Sequence, residues 1–331
     1  MMLFSFDMPW AGETAIRLLF ALVAVLLPAG TTVYLYLFKM VSFMQSRLGP
    51  MEAGPYGSMQ LLAEVGKSLQ KEDIFPAKAD RTVFALAPYV VLMSTFLLVV
   101  AIPFGPDAYF ANLDTGVFYA LAVTSISVIG ILMAGWGSAS KYSLLGGLRA
   151  AGQLIAYELP LVLAVVGVVI QAGTLSLSGI IQAQATGEIF GFGGIGNPYI
   201  LTQGVGFLIF MIAVQAELSQ TPFDMPIAES ELVSGYMTEY SGFRFLMFFI
   251  GEFASAAIFA FLASVLFLGG WTVPMFVTDL FGIAWDSNWF NVLGPLVMLT
   301  KMLLLTFVVY WVRFTFLASV KTNSSNSPGR C

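Results

Sequence analysis

Seven long apolar runs constrain this chain more than any other feature of its sequence. A helix needs about 20 apolar residues to cross the hydrocarbon core of a bilayer, and runs of that kind recur along most of the chain. We place the spans near 16–38, 82–103, 117–137, 153–172, 201–218, 244–268 and 292–316. Lipid offers the backbone no hydrogen-bond partner, so spans of this length must be helical. The sequence therefore predicts an all-α polytopic membrane protein, with about seven transmembrane helices in a single membrane domain over residues 1–316.

The distribution of basic residues predicts the orientation of these spans. If the odd-numbered connections are cytoplasmic, all of the 14 basic residues except Arg17 and Lys301 lie on that side or at the C-terminus. The positive-inside rule then places the N-terminus outside and the C-terminus in the cytoplasm. The first sixteen residues carry no basic n-region and the first apolar run is too long for a signal peptide, so we expect the N-terminus to be retained.

The first cytoplasmic connection carries an amphipathic pattern over about residues 56–71. Met59, Leu62, Val65 and Leu69 recur at helical spacing, and polar residues form a second stripe. This pattern predicts a helix that lies along the membrane interface. The pattern alone leaves open whether the helix only rests on lipid or also shapes a site.

Composition excludes several kinds of chemistry. The chain has no histidine, and its one cysteine, Cys331, is the last residue. Imidazole ligation, a disulfide within the chain and a cysteine-held iron-sulfur cluster are therefore excluded. The segment GFGGIG (191–196) formally matches a dinucleotide fingerprint, but it falls in an external connection without the strand that such a site needs. We expect no metal site, no catalytic residue and no cofactor bound by this chain alone.

Carboxylates are concentrated between the fifth and sixth spans. Only 10% of the residues are charged, and yet five acids with no Lys or Arg among them fall between residues 217 and 239. They are Glu217, Asp224, Glu229, Glu231 and Glu239. Pro222 and Pro226 interrupt helical structure there, which predicts that 219–243 is an acidic cytoplasmic loop that follows Glu217 at the end of a span.

Other ionisable residues fall inside the spans, namely Glu158, Glu252 and Lys301. Each would cost about 2.5–3.5 kcal/mol facing lipid, so we expect them to face the protein interior and to find partners. One structural interpretation is that Lys301 pairs with Glu252 to hold two helices together. Because the acids outnumber this lysine, the whole set cannot be neutralised in pairs. Burial and neighbouring acids raise carboxylate pKa values, so such a line of acids also suits a proton path.

Five motifs in order carry a resemblance to a known family. They are MQSRLGP (44–50), KEDIFPAKADR (71–81), SKYSLLGGLRAAGQLIAYE (140–158), TPFDMPIAESELVSGYMTEYSG (221–242) and FFIGEF (248–253). Over about residues 16–316 the chain resembles the quinone-chamber membrane subunit of respiratory complex I, which is the H subunit in bacteria and subunit 1 in mitochondria.

The resemblance implies a non-redox subunit of a proton-pumping NADH-quinone oxidoreductase in the inner membrane, with quinone as substrate. It implies as partners the peripheral-arm quinone-site and iron-sulfur subunits, small membrane subunits and antiporter-like subunits, and no nucleic acid. By the same resemblance, Arg47, Glu64 and Lys67 lie near the quinone tunnel entrance. Asp224, Glu229, Glu231 and Glu239 belong to the loop beside the chamber. Glu158, Glu217, Glu252 and Lys301 are predicted to continue as a proton path.

The chain departs from the family pattern at several positions. Leu37 and Phe38 stand where the family usually has Glu and Arg, Gln220 replaces an Arg, and Ile227 replaces a Glu. After WVRFTF (311–316), the family would continue into an eighth span, whereas residues 317–331 are polar and low in complexity. We expect this tail to be disordered.

Other functions remain open on the sequence alone. The departures at Gln220 and Ile227 are compatible with the equivalent subunit of a membrane-bound hydrogenase or of a complex fed by another donor. A stand-alone carboxylate-based ion transporter is disfavoured because no internal repeat is visible. A purely structural scaffold would leave the acids without a purpose.

The single cysteine allows a direct test of orientation. A membrane-impermeant maleimide should label Cys331 in inverted membrane vesicles and leave it unlabelled in intact spheroplasts, because the C-terminus is predicted to be cytoplasmic. A Cys331→Ser variant, which has no other thiol, is the control for specificity. Labelling from the outside of intact spheroplasts would reverse the predicted topology.

Overall fold

A computed structural model describes residues 27–106, 108–187, 196–273 and 290–316, and the regular structure of these residues is entirely helical. The predicted fold class is confirmed: the chain is an all-α polytopic membrane protein. The longer helices are α1 (Leu27–Met44), α3 (Arg81–Ala101), α4 (Gly116–Gly137), α5 (Lys141–Ala172), α8 (Gly204–Glu217), α10 (Gly242–Phe267) and α11 (Phe290–Thr315). The residues before 27, including the start of the first predicted span, lie outside the described part.

Each of the seven predicted spans overlaps one of these helices. Among the described residues, five helices are long and apolar enough to cross a bilayer: α3, α4, α5, α10 and Leu293–Thr315 of α11. Two apolar helical segments are shorter, Tyr34–Met44 of α1 and Gly204–Glu217, which is α8.

Short helices occupy the connections. The amphipathic pattern gives α2 (Gln60–Gln70), preceded by a 3-10 turn at Pro55–Gly57. The external connection contains α6 (Leu177–Thr186) and α7 (Tyr199–Thr202), and the acidic loop contains α9 (Glu229–Leu232) and a 3-10 turn at Gly235–Met237. Most of the glycine-rich segment 191–196 and the whole predicted disordered tail, 317–331, lie outside the described residues.

Helix α5 is longer than the span predicted at 153–172, because it already begins at Lys141. Its glycines permit close backbone contacts on two sides. A Cβ atom on Gly147 would lie 3.1 Å from the Cα of Gly135 on α4, and one on Gly146 would lie 2.6 Å from the Cα of Gly235 in the acidic loop. The part of the chain expected to connect the third and fourth spans is therefore helical and packs against its neighbours at backbone distance.

Helix α10 forms the centre of the bundle. In its most apolar stretch 72% of the residues are buried, compared with 33–44% for the other four long helices. It packs mainly against α3, α11 and α1. A helix that is apolar on all sides is expected in such an enclosed position, and side chains such as Phe253, Ile258 and Phe267 fill the core around it.

A second, smaller core anchors the end of the acidic loop. The ring of Tyr240 stacks on that of Phe84 at the start of α3, with centroids 4.1 Å apart and planes 2° apart. Tyr236 and Met237 are buried in the same cluster, together with Phe248 of α10. The loop is therefore fixed at its C-terminal end by apolar packing.

The backbone contact of Gly146 predicts unequal effects of the same substitution in one helix. Gly146→Ala should lower the free energy of unfolding by roughly 1–3 kcal/mol, because the new methyl group must displace the Gly235 backbone. Gly152→Ala is the matched control, since a Cβ atom at that position would have nothing within 4 Å, and it should be neutral or stabilising by up to about 1 kcal/mol. Thermal denaturation of both variants in detergent measures the difference, and equal midpoints would contradict this packing.

Candidate functional site

Two acids approach each other where α8 ends against α5. Glu217 is the last residue of α8 and Glu158 lies in the middle of α5. Glu158 is the charged neighbour that acts electrostatically on Glu217, and its Oε1 accepts a hydrogen bond from the hydroxyl of Ser125 on α4. The Oε2 atom of Glu217 is buried and has no hydrogen-bond partner within the described part of the chain. The structure thus brings together two of the acids predicted for the proton path.

Buried amides surround the end of α8. Gln153 of α5 donates from Nε2 to the carbonyls of Ala216 and Phe223, each at 2.8 Å, and so ties α5 to the start of the acidic loop. The Oε1 atom of Gln153 has no partner among the residues that the structure describes. Gln220 is only 1% exposed, and neither its Nε2 nor its Oε1 atom has a partner among the same residues.

Unpaired polar atoms are therefore concentrated at this place. Four of the nine buried side-chain polar atoms that lack a hydrogen bond among the described residues belong to Gln153, Glu217 and Gln220. Native proteins leave few such atoms unpaired, and ordered water commonly satisfies them. The end of α8 is accordingly a place where water or another polar molecule can be held inside the protein.

Glu252 of α10 has an ion-pair partner that the sequence did not indicate. The Nη1 atom of Arg313, in the last turn of α11, lies 3.4 Å from its Oε1 atom. The interpretation that pairs Glu252 with Lys301 is therefore wrong. Both members of the observed pair are largely shielded, with side-chain exposures of 20% for Glu252 and 28% for Arg313.

Lys301 instead binds the backbone that follows α10. Its Nζ atom donates to the carbonyls of Leu268, Gly270 and Thr272, each at 2.7 Å. Carbonyls at a helix C-terminus lack partners within the helix, and a cation there is favourable. Gln184 of α6 binds the preceding carbonyls in the same way. Its Nε2 atom donates a hydrogen bond to the carbonyl of Val265 at 2.8 Å. Membership of Lys301 in a proton path stays a prediction.

At least one acid of the acidic loop has a basic partner, although the loop sequence itself contains no Lys or Arg between residues 217 and 239. Glu231 forms an ion pair of 2.6 Å with Arg149 of α5, and both side chains are about half exposed. A pair this exposed contributes at most about 1 kcal/mol. Asp224 and Glu239 are partly buried. The backbone of Glu229 begins α9.

The residues predicted at the tunnel entrance lie on two separate segments. Arg47 is exposed and donates from Nε to Oε1 of Gln45 at 2.7 Å. Glu64 lies on α2, accepts a hydrogen bond from Gln60 at 3.2 Å and is partly buried, whereas Lys67 is exposed. No hydrogen bond or ion pair joins Arg47 to either residue within the described part of the chain.

Lys39 shapes the segment that carries Arg47. Its Nζ atom, near the end of α1, donates to the carbonyls of Leu48 at 3.3 Å and Pro50 at 2.8 Å. Leu37, two residues earlier, is buried and packs in the main core. This part of α1 is therefore held by apolar packing next to the hydrogen bonds of Lys39.

These helices and their enclosed acids define a polytopic helical membrane protein with a polar interior where α8 ends against α5. A sequence model of the NADH dehydrogenase family matches residues 16–321, and the chain belongs to that family. It is 43% identical over 279 residues to the H subunit of NADH-quinone oxidoreductase from Bacillus thuringiensis subsp. konkukian (strain 97-27), covering 84% of this chain and 77% of that protein. The H subunits from Bacillus thuringiensis (strain Al Hakam) and Bacillus cereus (strain B4264) match with the same identity and coverage. The resemblance inferred from the motifs is confirmed.

The contacts of Lys301 predict a mainly structural effect of its removal. Lys301→Met should lower the free energy of unfolding by about 2 kcal/mol or more, because three carbonyls lose charge-assisted hydrogen bonds. Denaturant titration in detergent measures this loss, with Thr300→Ala, at an exposed neighbouring position on α11, as the control. If stability stays unchanged while proton pumping falls, Lys301 serves the proton path and not the end of α10.

Proposed function

We propose that this chain is the quinone-chamber and energy-coupling subunit of a proton-pumping NADH-quinone oxidoreductase in the inner membrane. Its substrate is quinone, and it works as a non-redox subunit that is not catalytic alone. Its partners are the peripheral-arm quinone-site and iron-sulfur subunits, the small membrane subunits and the antiporter-like subunits. Membership of the NADH dehydrogenase family and the similarity to the Bacillus H subunits support this assignment.

The observation that carries the coupling part of the proposal is the unpaired polar cluster at the end of α8. Among the described residues, one buried oxygen of Glu217 has no partner. It lies beside Glu158 and close to the unpaired Oε1 atom of Gln153 and the unpaired amide of Gln220. An acid that is shielded from solvent and is not neutralised by a cation is suited to take up and release a proton. Water held by the amides would link it to the acidic loop.

In this proposal, reduction drives proton movement through charge. Reduction of quinone to quinol takes two electrons, supplied by the iron-sulfur partner, and two protons. The changed charge in the chamber acts first on the acidic loop, which carries Asp224, Glu229, Glu231 and Glu239. It then alters the protonation of Glu217 and Glu158. Finally, it changes the strength of the ion pair between Glu252 and Arg313. The free-energy change passes in this way toward the antiporter-like subunits.

The proposed entrance for quinone lies beside α2. This helix exposes Leu62 and Leu69, which are 65% and 62% exposed, and none of its residues is fully buried. An apolar face of this kind can border a path for a lipid-soluble quinone, with Arg47, Glu64 and Lys67 as the polar groups near its mouth. The same helix lies at the cytoplasmic interface in the orientation predicted by the basic residues.

Removal of the Glu217 charge tests the proposal. In the purified complex reconstituted into vesicles, Glu217→Gln should reduce proton pumping per NADH oxidised by at least threefold, because the amide cannot exchange a proton. Pumping is measured with a pH-sensitive dye, and quinone reduction from the NADH absorbance. Glu52→Gln, at an exposed acid, is the matched control and should leave both rates unchanged. Wild-type pumping in Glu217→Gln would contradict the coupling role.

A further inference from the structure

No residue of the amphipathic helix α2 is fully buried, although Leu61 packs against the main core and the helix contacts α1 and α10. The chain that follows α2 adds a second attachment. The hydroxyl of Ser241 accepts a hydrogen bond from the amide of Ile74 and donates one to the carbonyl of Glu72, each at 3.2 Å. The segment 71–75 therefore ties the C-terminal end of α2 to the start of α10, in addition to the contacts that α2 makes itself.

Arg244 provides the charged part of this attachment. Its Nη1 atom lies 2.9 Å from Oδ2 and 3.0 Å from Oδ1 of Asp73, and the Arg244 side chain is only 15% exposed. Its Cζ atom also lies 3.9 Å from the centre of the Phe75 ring. A partly buried guanidinium that combines an ion pair with an aromatic face holds a segment more firmly than a surface ion pair does.

The backbone geometry brings the two segments into direct contact. Gly242 has a positive φ of 56°, and a Cβ atom there would lie 3.0 Å from the carbonyl oxygen of Lys71. Glycine avoids the strain of this conformation and leaves room for the carbonyl. We call the contacts of Ser241 and Arg244 with the segment 72–75 the clasp.

The clasp adjoins the fixed end of the acidic loop. Tyr240 precedes it directly, stacks on Phe84 and donates from its hydroxyl to the Phe84 carbonyl at 3.0 Å. Burial raises the pKa of Tyr240, so the hydroxyl keeps the proton that it donates. Phe75 in turn packs on Phe84, with ring centroids 5.6 Å apart. The loop end and the chain after α2 thus share one anchor at the start of α3.

We propose that Arg244, through Asp73 and Phe75, is a positioning residue that makes α2 and the acidic loop move as one unit. This inference rests on the proposed function in one respect, namely that α2 and the acidic loop border the quinone path. If they do, the clasp affects the affinity for quinone. None of these three residues is assigned to contact quinone. Loss of the clasp should therefore weaken quinone binding and leave the chemical step intact.

Steady-state kinetics of the purified complex test the effect on quinone. Arg244→Gln and Asp73→Asn should each raise KM for a short-chain quinone by threefold to tenfold, with kcat within twofold of the parent. The exchange variant Asp73→Arg/Arg244→Asp, which restores opposite charges, should bring KM closer to the parent than either single change does. Lys141→Gln removes an exposed cation elsewhere and should leave KM unchanged. If the assembled single variants keep the parent KM, the clasp is merely structural and the inference is overturned.

A distance measurement tests the mechanical link independently of activity. Spin labels on Gln70→Cys, at the end of α2, and on Val233→Cys, at an exposed position in the acidic loop, are introduced into a Cys331→Ser background. The distance distribution between the labels should be narrow in the parent complex and should broaden with Asp73→Asn. This variant removes the same ion pair if Arg244→Gln does not assemble. An unchanged distribution overturns the inference even if Glu217→Gln abolishes pumping. A broadened one supports the link even if Glu217→Gln leaves pumping intact and the proposed coupling fails.

Discussion

Inside hydrocarbon, every polar group of the chain has to find its partner within the protein, and this requirement organises the structure. It makes the long apolar runs helical. It also explains why the last carbonyls of α10 accept hydrogen bonds from other helices, because they have no donor within their own helix. Lys301 and Gln184 supply the missing donors. The central helix is thus completed by side chains from two other helices, which also joins the bundle together.

Exceptions to that requirement are most concentrated near the end of α8. There, among the described residues, the side chains of Gln153, Glu217 and Gln220 retain buried atoms without partners. Leaving such atoms unpaired costs free energy, so their concentration beside Glu158 distinguishes this place from the rest of the bundle. Gln220 contributes to it as a neutral, polar side chain that is only 1% exposed.

The sequence predicted the fold class because hydropathy alone decides which segments enter the membrane. It also indicated which acids lie within the membrane, because a charged residue in a long apolar run is costly and usually has a function. The bounds of α5 were predicted less well. Gly146 and Gly147 fall before the predicted span, and only the approach of α4 and of the Gly235 backbone shows why glycines suit a helix at this point.

Partners of charged residues could not be predicted from sequence, because they depend on which helices are adjacent and how far side chains reach. The sequence predicts only that Arg313 lies on the cytoplasmic side, whereas its side chain reaches Glu252 of α10. Arg149 likewise extends from α5 to Glu231. The positive-inside pattern gives the side of the membrane on which a cation lies, and long side chains can still extend from that side to an acid at greater depth.

The enclosed position of α10 has a consequence for how this protein responds to its lipid. A change in bilayer thickness acts on the helices that contact lipid, which adjust mainly by tilting. Helix α10, with 72% of its apolar stretch buried, is shielded by its neighbours, whereas the corresponding stretch of α5 is only 33% buried. Glu252 lies on the shielded helix and Glu158 on the exposed one. We therefore expect a change of membrane thickness to act more directly on the helix that carries Glu158 than on the one that carries Glu252.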